Sequence, residues 1–170
     1  MKVRLAGLLP SSLVNGPGIR MVIFAQGCIH NCEGCFNQHT HSFDGGEEIN
    51  CEEIINKIKK DPFLKGVTFS GGDPFEQPNQ FKWLADEIHK LGLNIWSYTG
   101  YTFEELLKDS EKYELLKSID ILVDGKFVIS LKSDKCKFRG STNQRIIDIQ
   151  KSLKQNKVIE VEEYKWQNMQ

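Results

Sequence analysis

The chain has 170 residues, 22 Lys+Arg against 23 Asp+Glu, a formal net charge of −1 and a hydrophobic share of 39%. At about 150 residues per domain this is one domain with enough apolar content to bury a core, which excludes a disordered tail. The near-zero charge argues against a nucleic acid or an anionic membrane held by bulk electrostatics, and no apolar run approaches the roughly 18 residues of a membrane span.

Residues 1–10 carry too short an apolar stretch for a secretory leader, so a cytoplasmic protein is expected. Residues 20–26 (RMVIFAQ), bounded by Gly18 and Gly27, read as a buried strand that runs straight into a cysteine-bearing loop. Asn50, three residues before Glu53, marks a helix start; Ile54, Ile55 and Ile58 supply its apolar face, and Asp61-Pro62 stops it. Residues 66–69 (GVTF) form a second strand leading into Ser70-Gly71-Gly72-Asp73-Pro74. Phe81, Leu84, Ala85, Ile88 and Leu91 follow helical spacing up to Gly92. Residues 93–98 (LNIWSY) are a third strand, Thr102 opens a helical stretch to about residue 118, and residues 119–123 are a fourth strand ending at Asp124-Gly125. Residues 145–153 fit both periods, and residues 158–161 are a candidate further strand.

Helices alternating with strands demand parallel strands joined by right-handed crossovers. A complete (β/α)₈ barrel takes about 250 residues, so the expectation is a partial (β/α) barrel in a single domain over residues 1–170. Ligands in such sheets bind at the C-terminal ends of the strands. The cysteine loop, Gly71-Gly72-Asp73, Thr99-Gly100 and Asp124-Gly125-Lys126 all fall there, on one rim.

Five cysteines stand at 28, 32, 35, 51 and 136, an odd number with three inside eight residues. A disulfide scaffold is disfavoured, and in a reducing compartment the cluster reads as metal binding. Cys28-x₃-Cys32-x₂-Cys35 would need His30, His39, His41, Cys51 or Cys136 as a fourth ligand for structural zinc. A 4Fe–4S cubane on three cysteines would instead leave one iron open to a small molecule. Spacing alone leaves both readings open, and the strand-end position favours the cluster. His30 reads as a hydrogen-bonding or exposed residue rather than a ligand. Cys51 and Cys136 read as bystanders, which also argues against an extra ferredoxin-like cluster domain. The basic groups Lys57, Lys59, Lys60 and Lys132, Lys135, Lys137 read as solvated surface.

The same residues carry a resemblance. C-x₃-C-x₂-C after the first strand and Gly71-Gly72-Asp73-Pro74 after the second resemble the signatures of the radical S-adenosylmethionine (SAM) superfamily. Val14-Asn15-Gly16-Pro17-Gly18, the run Gly27-Cys28-x-His30-x-Cys32-x-Gly34-Cys35-Phe36-Asn37, Trp96-Ser97-Tyr98-Thr99-Gly100-Tyr101, Val123-Asp124-Gly125-Lys126-Phe127 and Arg139-Gly140-Ser141-Thr142-Asn143-Gln144 narrow it. Together they resemble the activating proteins of anaerobic (class III) ribonucleoside-triphosphate reductases, from about residue 10 to 155. Many superfamily members have an aromatic residue where this chain has Gly34, and pyruvate formate-lyase activases have Asp where it has Asn15; both departures are those of the reductase-activase branch. Residues 156–170 match little.

The resemblance implies a 4Fe–4S cluster on Cys28, Cys32 and Cys35, with SAM on the open iron and its reductive cleavage to a 5′-deoxyadenosyl radical. That radical would take a hydrogen from a glycine in the C-terminal loop of the reductase, with a one-electron donor such as a flavodoxin. Gly71 and Gly72 would let the backbone approach the SAM amine, an ordinary strand-to-helix turn being the alternative. Asp73 would orient the amine or cap the next helix; Gly34, Cys35 and Phe36 would pass the adenine, unless Phe36 is core. Asp124 and Lys126 would meet the ribose and carboxylate ends of SAM, or form structural ion pairs. Asn15, Gly16, Pro17 and Gly18 form a tight turn that the resemblance makes a contact for the incoming glycine loop, with Asn143 and Gln144 as further contacts. Rival readings are a small radical SAM enzyme or activase acting on another substrate, and a Cys₃His zinc module.

Overall fold

A computed structural model describes residues 1–165; the last five residues of the expected 1–170 domain lie outside the described residues. The strands are β1 (Lys2–Ser12), β2 (Arg20–Ala25), β3 (Glu47–Asn50), β4 (Gly66–Gly71), β5 (Asn94–Tyr98), β6 (Ile121–Asp124) and β7 (Arg145–Asp148). The helices are α1 (Cys51–Lys59), α2 (Pro78–Lys90), α3 (Phe103–Leu107), α4 (Ser110–Leu116) and α5 (Ile149–Gln155). All seven strands join one sheet in the order β3-β1-β2-β4-β5-β6-β7.

The centre of the sheet is as the alternation predicts. β2, β4, β5 and β6 pair in parallel, and each crossover between them carries helix. The expectation of a wholly parallel sheet is corrected at the flanks. β1 pairs antiparallel with both β2 and β3, and β7 pairs antiparallel with β6. The physical reason is chain length: residues 13–19 between β1 and β2 are too few for a crossover, whereas an antiparallel return needs only a turn. The result is an open mixed α/β sheet.

Local chemistry sets the remaining boundaries. The helical stretch expected over about 102–118 is two helices, because the Asp109 side chain accepts from Glu111 and Lys112 backbone N–H groups and starts α4 afresh. Thr102 and Glu105 close a capping box at α3. Residues 145–153 are strand and then helix, which is why they fit both periods; Asp148 caps the change. Residues 158–161 contribute one isolated bridge, Ile147 to Glu160, rather than a strand.

Side-chain alternation divides the sheet. Met21, Ile23, Ala25, Val67, Phe69, Ile95, Leu122 and Ile147 pack with Ile54, Ile58, Phe81, Leu84, Ile88, Leu106 and Leu116 of the helices in the main core. The opposite face carries Arg20, Phe24, Thr68, Ser70, Trp96 and Tyr98, with a smaller cluster of Trp96, Val123 and Ile146. Among the described residues no helix is long and apolar enough to cross a membrane.

Candidate functional site

The four parallel strands end at one edge, and the loops that leave them frame a cavity of about 440 Å³. Its walls include Cys28, Cys32 and Cys35 after β2, Gly71 and Gly72 after β4, Thr99 and Gly100 after β5, and Gly125 after β6. The convergence expected from the sequence is therefore present. Tyr98, Phe24 and Ser70 form its floor from the helix-free face of the sheet.

The three cysteines are free and half-buried. Two positive-φ residues turn their loop, Asn31 (φ 51°) and Gly34 (φ 72°). Gly34 backs onto Ile129, where a Cβ would overlap the isoleucine side chain. The Asn37 N–H points to Cys35 Sγ at 3.4 Å. Burial pushes the Cys28 thiol up to about 11, and neighbouring Asp73, Cys32 and Cys35 add to the rise against a hydrogen bond from His30 backbone. Cys32 is raised by burial too, eased by a Phe127 backbone hydrogen bond and the Lys126 charge. Bare, these sulfurs stay protonated at neutral pH; cationic iron is what would ionise them. Among the described residues no three of His, Cys, Asp and Glu gather round one point as a single metal ion requires. A cubane takes its thiolates one per iron, so three separate thiols on one wall fit it.

The glycine motif is built by close approach. Gly71 has φ 92°, and a Cβ there would meet the Ala25 backbone at 2.5 Å. A Cβ at Gly72 would overlap the Gly27 carbonyl oxygen, which accepts from Asp73 N–H at 2.8 Å. These glycines thus bind the end of β4 to the start of the cysteine loop as well as exposing backbone to the cavity.

Asp73 is fully buried and does not line the cavity. One oxygen accepts from Phe75 N–H at 3.0 Å, capping the turn after Pro74. The other accepts from Thr99 Oγ1 at 2.8 Å and Gly100 N–H at 3.0 Å, and lies 2.7 Å from His30 Nε2. The capping reading holds, and the carboxylate has three further partners besides.

Asp124 is likewise buried, accepting from Phe103 N–H at 2.8 Å and pairing with Arg145. Lys126 is exposed, with its backbone oxygen taking the Asn143 amide at 2.8 Å. Gln144 donates to the Gly125 carbonyl at 2.9 Å and accepts from Gly140 and Ser141 N–H groups, bracing the loop between β6 and β7. Phe36 is not core: it is 63% exposed on the cavity wall, 5.1 Å from the Phe127 ring, with Lys132 Nζ 5.2 Å above it.

Asn15 lines the cavity, and its turn is anchored from below. Ser12 Oγ donates to Asn15 Oδ1 at 2.7 Å, Thr68 Oγ1 donates to the Asn15 carbonyl at 2.6 Å, and Arg20 Nη1 donates to the Pro17 carbonyl at 3.1 Å. A Cβ on Gly16 (φ 120°) would press on the Arg20 side chain. Gly16, Pro17 and Gly18 stand behind Asn15 rather than in the cavity wall.

One placement departs from the sequence reading. Cys51 is a bystander in the core, fully buried at the start of α1, but Cys136 lines the cavity. The fold brings it there through a loop without regular periodicity, which no pattern in the sequence could place. Tyr98, which the sequence singles out only within the motif at residues 96–101, donates its hydroxyl to the Phe138 carbonyl at 2.6 Å and lines the cavity.

Comparison with known proteins agrees with this geometry. A family model described as a 4Fe–4S single cluster domain matches residues 14–147. The anaerobic ribonucleoside-triphosphate reductase-activating protein of Enterobacteria phage T4 is 35% identical over 148 residues, 82% of this chain and 90% of that protein. The protein of the same name from Vibrio cholerae is 39% identical over 147 residues (81% and 92%), and that of Escherichia coli K12 is 36% identical over 148 residues (79% and 92%). The chain belongs to the family of anaerobic ribonucleoside-triphosphate reductase-activating proteins.

Proposed function

We propose that this chain activates an anaerobic ribonucleoside-triphosphate reductase by generating a glycyl radical on the reductase's C-terminal loop. The observation that carries the reading is the shared cavity: three free cysteines and the Gly71-Gly72 backbone face it from adjacent parallel strand ends. In this reading the open sheet is the partial barrel of a single radical SAM domain. Cys28, Cys32 and Cys35 would hold a 4Fe–4S cluster, whose remaining iron would be free to take SAM. The cluster with SAM supplies reductive cleavage to a 5′-deoxyadenosyl radical, fed by an external one-electron donor such as a flavodoxin.

The chain's own residues bind, orient and shield. Gly71 and Gly72 leave room for the methionyl end beside the strand terminus. Phe36 and the backbone from Gly34 to Cys35 offer an apolar wall for the adenine. Lys126 supplies positive charge toward the carboxylate end, and Asp124 serves that end by fixing the loop through Arg145. Asn15, with Gly16, Pro17 and Gly18 behind it, receives the glycine-bearing loop of the reductase. A cytoplasmic location goes with an oxygen-sensitive cluster and a nucleotide-reducing partner.

The test is electron paramagnetic resonance of anaerobically reconstituted, reduced protein, first alone, then with SAM, then with the reductase. The expected sequence is a cluster signal, a change of its shape on adding SAM, and a stable organic radical on the reductase. A cluster indifferent to SAM would remove the radical chemistry, and zinc in place of iron would overturn the site. SAM turnover with no radical on the reductase would reassign the substrate.

A further inference from the structure

His30 lies between two of the cysteines in sequence and is drawn out of solvent, with its side chain 5% exposed against a fully buried Asp73. His30 Nε2 lies 2.7 Å from Asp73 Oδ2, a hydrogen-bonded contact shielded from solvent. The ring is held on its other sides as well. A Cβ on Gly100 would overlap it, and the Tyr101 ring meets it edge-on with centroids 4.5 Å apart at 77°. Tyr101 is itself tied back by a short hydrogen bond from its hydroxyl to Glu76.

One buried carboxylate thereby joins three loops: the cysteine loop through His30, the glycine motif through Asp73's own backbone and Phe75, and the end of β5 through Thr99 and Gly100. The cysteine loop has no helix or strand hydrogen-bond ladder of its own, so its distance from Gly71-Gly72 is set by whatever pins it. The backbone supplies pins at the loop's start, from Cys28 N–H to the His41 carbonyl and from Gly27 N–H to Thr40. His30 is the side-chain pin between Cys28 and Cys32.

We infer that His30 and Asp73 form a positioning pair that fixes the cysteine loop against the glycine motif and so sets the seat of SAM: Asp73 stands behind the cavity wall, and His30, which lines the cavity, acts through its contact with Asp73 rather than as a metal ligand. This rests on the proposed radical SAM reading, and it makes a use of Asp73 that differs from direct contact with the SAM amine. Because His30 acts through Asp73, the pair also predicts non-additivity: once the Asp73 carboxylate is gone, losing His30 costs little more.

The experiment compares His30→Ala, His30→Gln, Asp73→Asn and the double variant His30→Ala/Asp73→Asn with the wild type, each reconstituted anaerobically. Iron and sulfide content, the SAM dissociation constant and the SAM-induced change in the cluster's resonance spectrum are read in parallel. The expectation is full iron in His30→Ala with SAM bound about tenfold more weakly and a blunted spectral change. His30→Gln, whose amide N–H can still donate to Asp73, recovers most of the affinity. The double variant is no worse than the weaker single one. Iron loss in His30→Ala equal to that of a cysteine variant would make His30 a ligand and overturn the inference. So would unchanged SAM affinity in both single variants, or losses that multiply in the double. A wild type whose spectrum ignores SAM would sink the functional reading itself, an outcome distinct from any of these.

Discussion

Arg145 grips Asp124 at two points, Nε to Oδ1 at 3.0 Å and Nη2 to Oδ2 at 2.6 Å, while its other face reaches Glu104 at 2.7 Å. The pair ties the end of β6 to the start of β7 and, through Phe103 N–H, to the start of α3. Asp124→Ala would leave the buried Phe103 N–H without its acceptor and Arg145, whose side chain is 30% exposed, with Glu104 alone. Breaking a fully buried pair costs about 3–5 kcal/mol, so this one is expected to cost about 2 kcal/mol in chemical denaturation. SAM affinity should fall modestly, as the loop that carries Lys126 loses its brace. A large loss of SAM affinity at unchanged stability would give Asp124 a direct contact with the cofactor instead. Arg145 also holds the Glu104 carboxyl below its ordinary value of 4.5. Glu104's small contribution is therefore present above about pH 4.5 and is lost as pH falls through its lowered value.

The cysteine assignments separate cleanly by iron content. Cys28→Ala, Cys32→Ala and Cys35→Ala should each lose most of the iron and sulfide after anaerobic reconstitution. Cys51→Ala should keep both, since that thiol is sealed in the core under α1. Cys136→Ala is the informative case, because Cys136 shares the cavity wall. With three protein ligands it keeps full iron and an unchanged spectrum; a loss of iron would add a fourth.

What the sequence revealed and what it hid follow from locality. Strand–helix alternation over residues 20–124 is a local pattern, so β2, β4, β5, β6 and their strand-end loops were legible. β1 was hidden because its eleven residues include Gly7, Pro10 and an irregular register that breaks the alternation. The antiparallel partners of the flanking strands depend on who lies next to whom, which periodicity does not encode. The same holds at the site. Cys28, Cys32 and Cys35 announce themselves by spacing, whereas the contact of His30 with Asp73 spans 43 positions. Cys136 is brought to the cavity by a loop with no pattern at all.

The raised thiol of Cys28 has a pH signature in the metal-free chain. A group titrating near 11 is almost wholly thiol at pH 8, and its thiolate fraction grows about tenfold per pH unit. Iodoacetamide labelling of Cys28, followed by peptide mass spectrometry, should therefore steepen from pH 8 to pH 10 without levelling. A plateau below pH 9 would mean that burial does not govern this sulfur.

Gly71 is asked for two things at once, a positive φ and the absence of a Cβ against the Ala25 backbone. Gly71→Ala meets rigid main chain rather than a flexible side chain, so it is expected to cost about 2–3 kcal/mol of stability. SAM binding should weaken in the same variant, because the strand end must move to make room. Gly92→Ala is the control. Gly92 also has a positive φ (77°), but a Cβ there would meet nothing within 4 Å, so only the backbone strain of about 1 kcal/mol remains and SAM binding is untouched.

Thr68 links the interior of the sheet to the Asn15 turn, proposed above as the seat of the reductase's glycine loop. Its hydroxyl accepts from Arg20 Nε at 2.8 Å and donates to the Asn15 carbonyl at 2.6 Å, so one side chain relays a buried guanidinium to the cavity rim. Thr68→Val preserves the volume but leaves both partners unsatisfied, at a cost of about 1–3 kcal/mol. The cysteine loop and glycine motif do not use this hydroxyl, so dithionite-driven cleavage of SAM should proceed near the wild-type rate. The yield of glycyl radical on the reductase should fall, because the turn carrying Asn15 no longer has a fixed position for the incoming loop. Measured side by side, the two activities place the turn: a parallel fall in both would assign it to SAM, and an unchanged radical yield would remove it from the reductase contact.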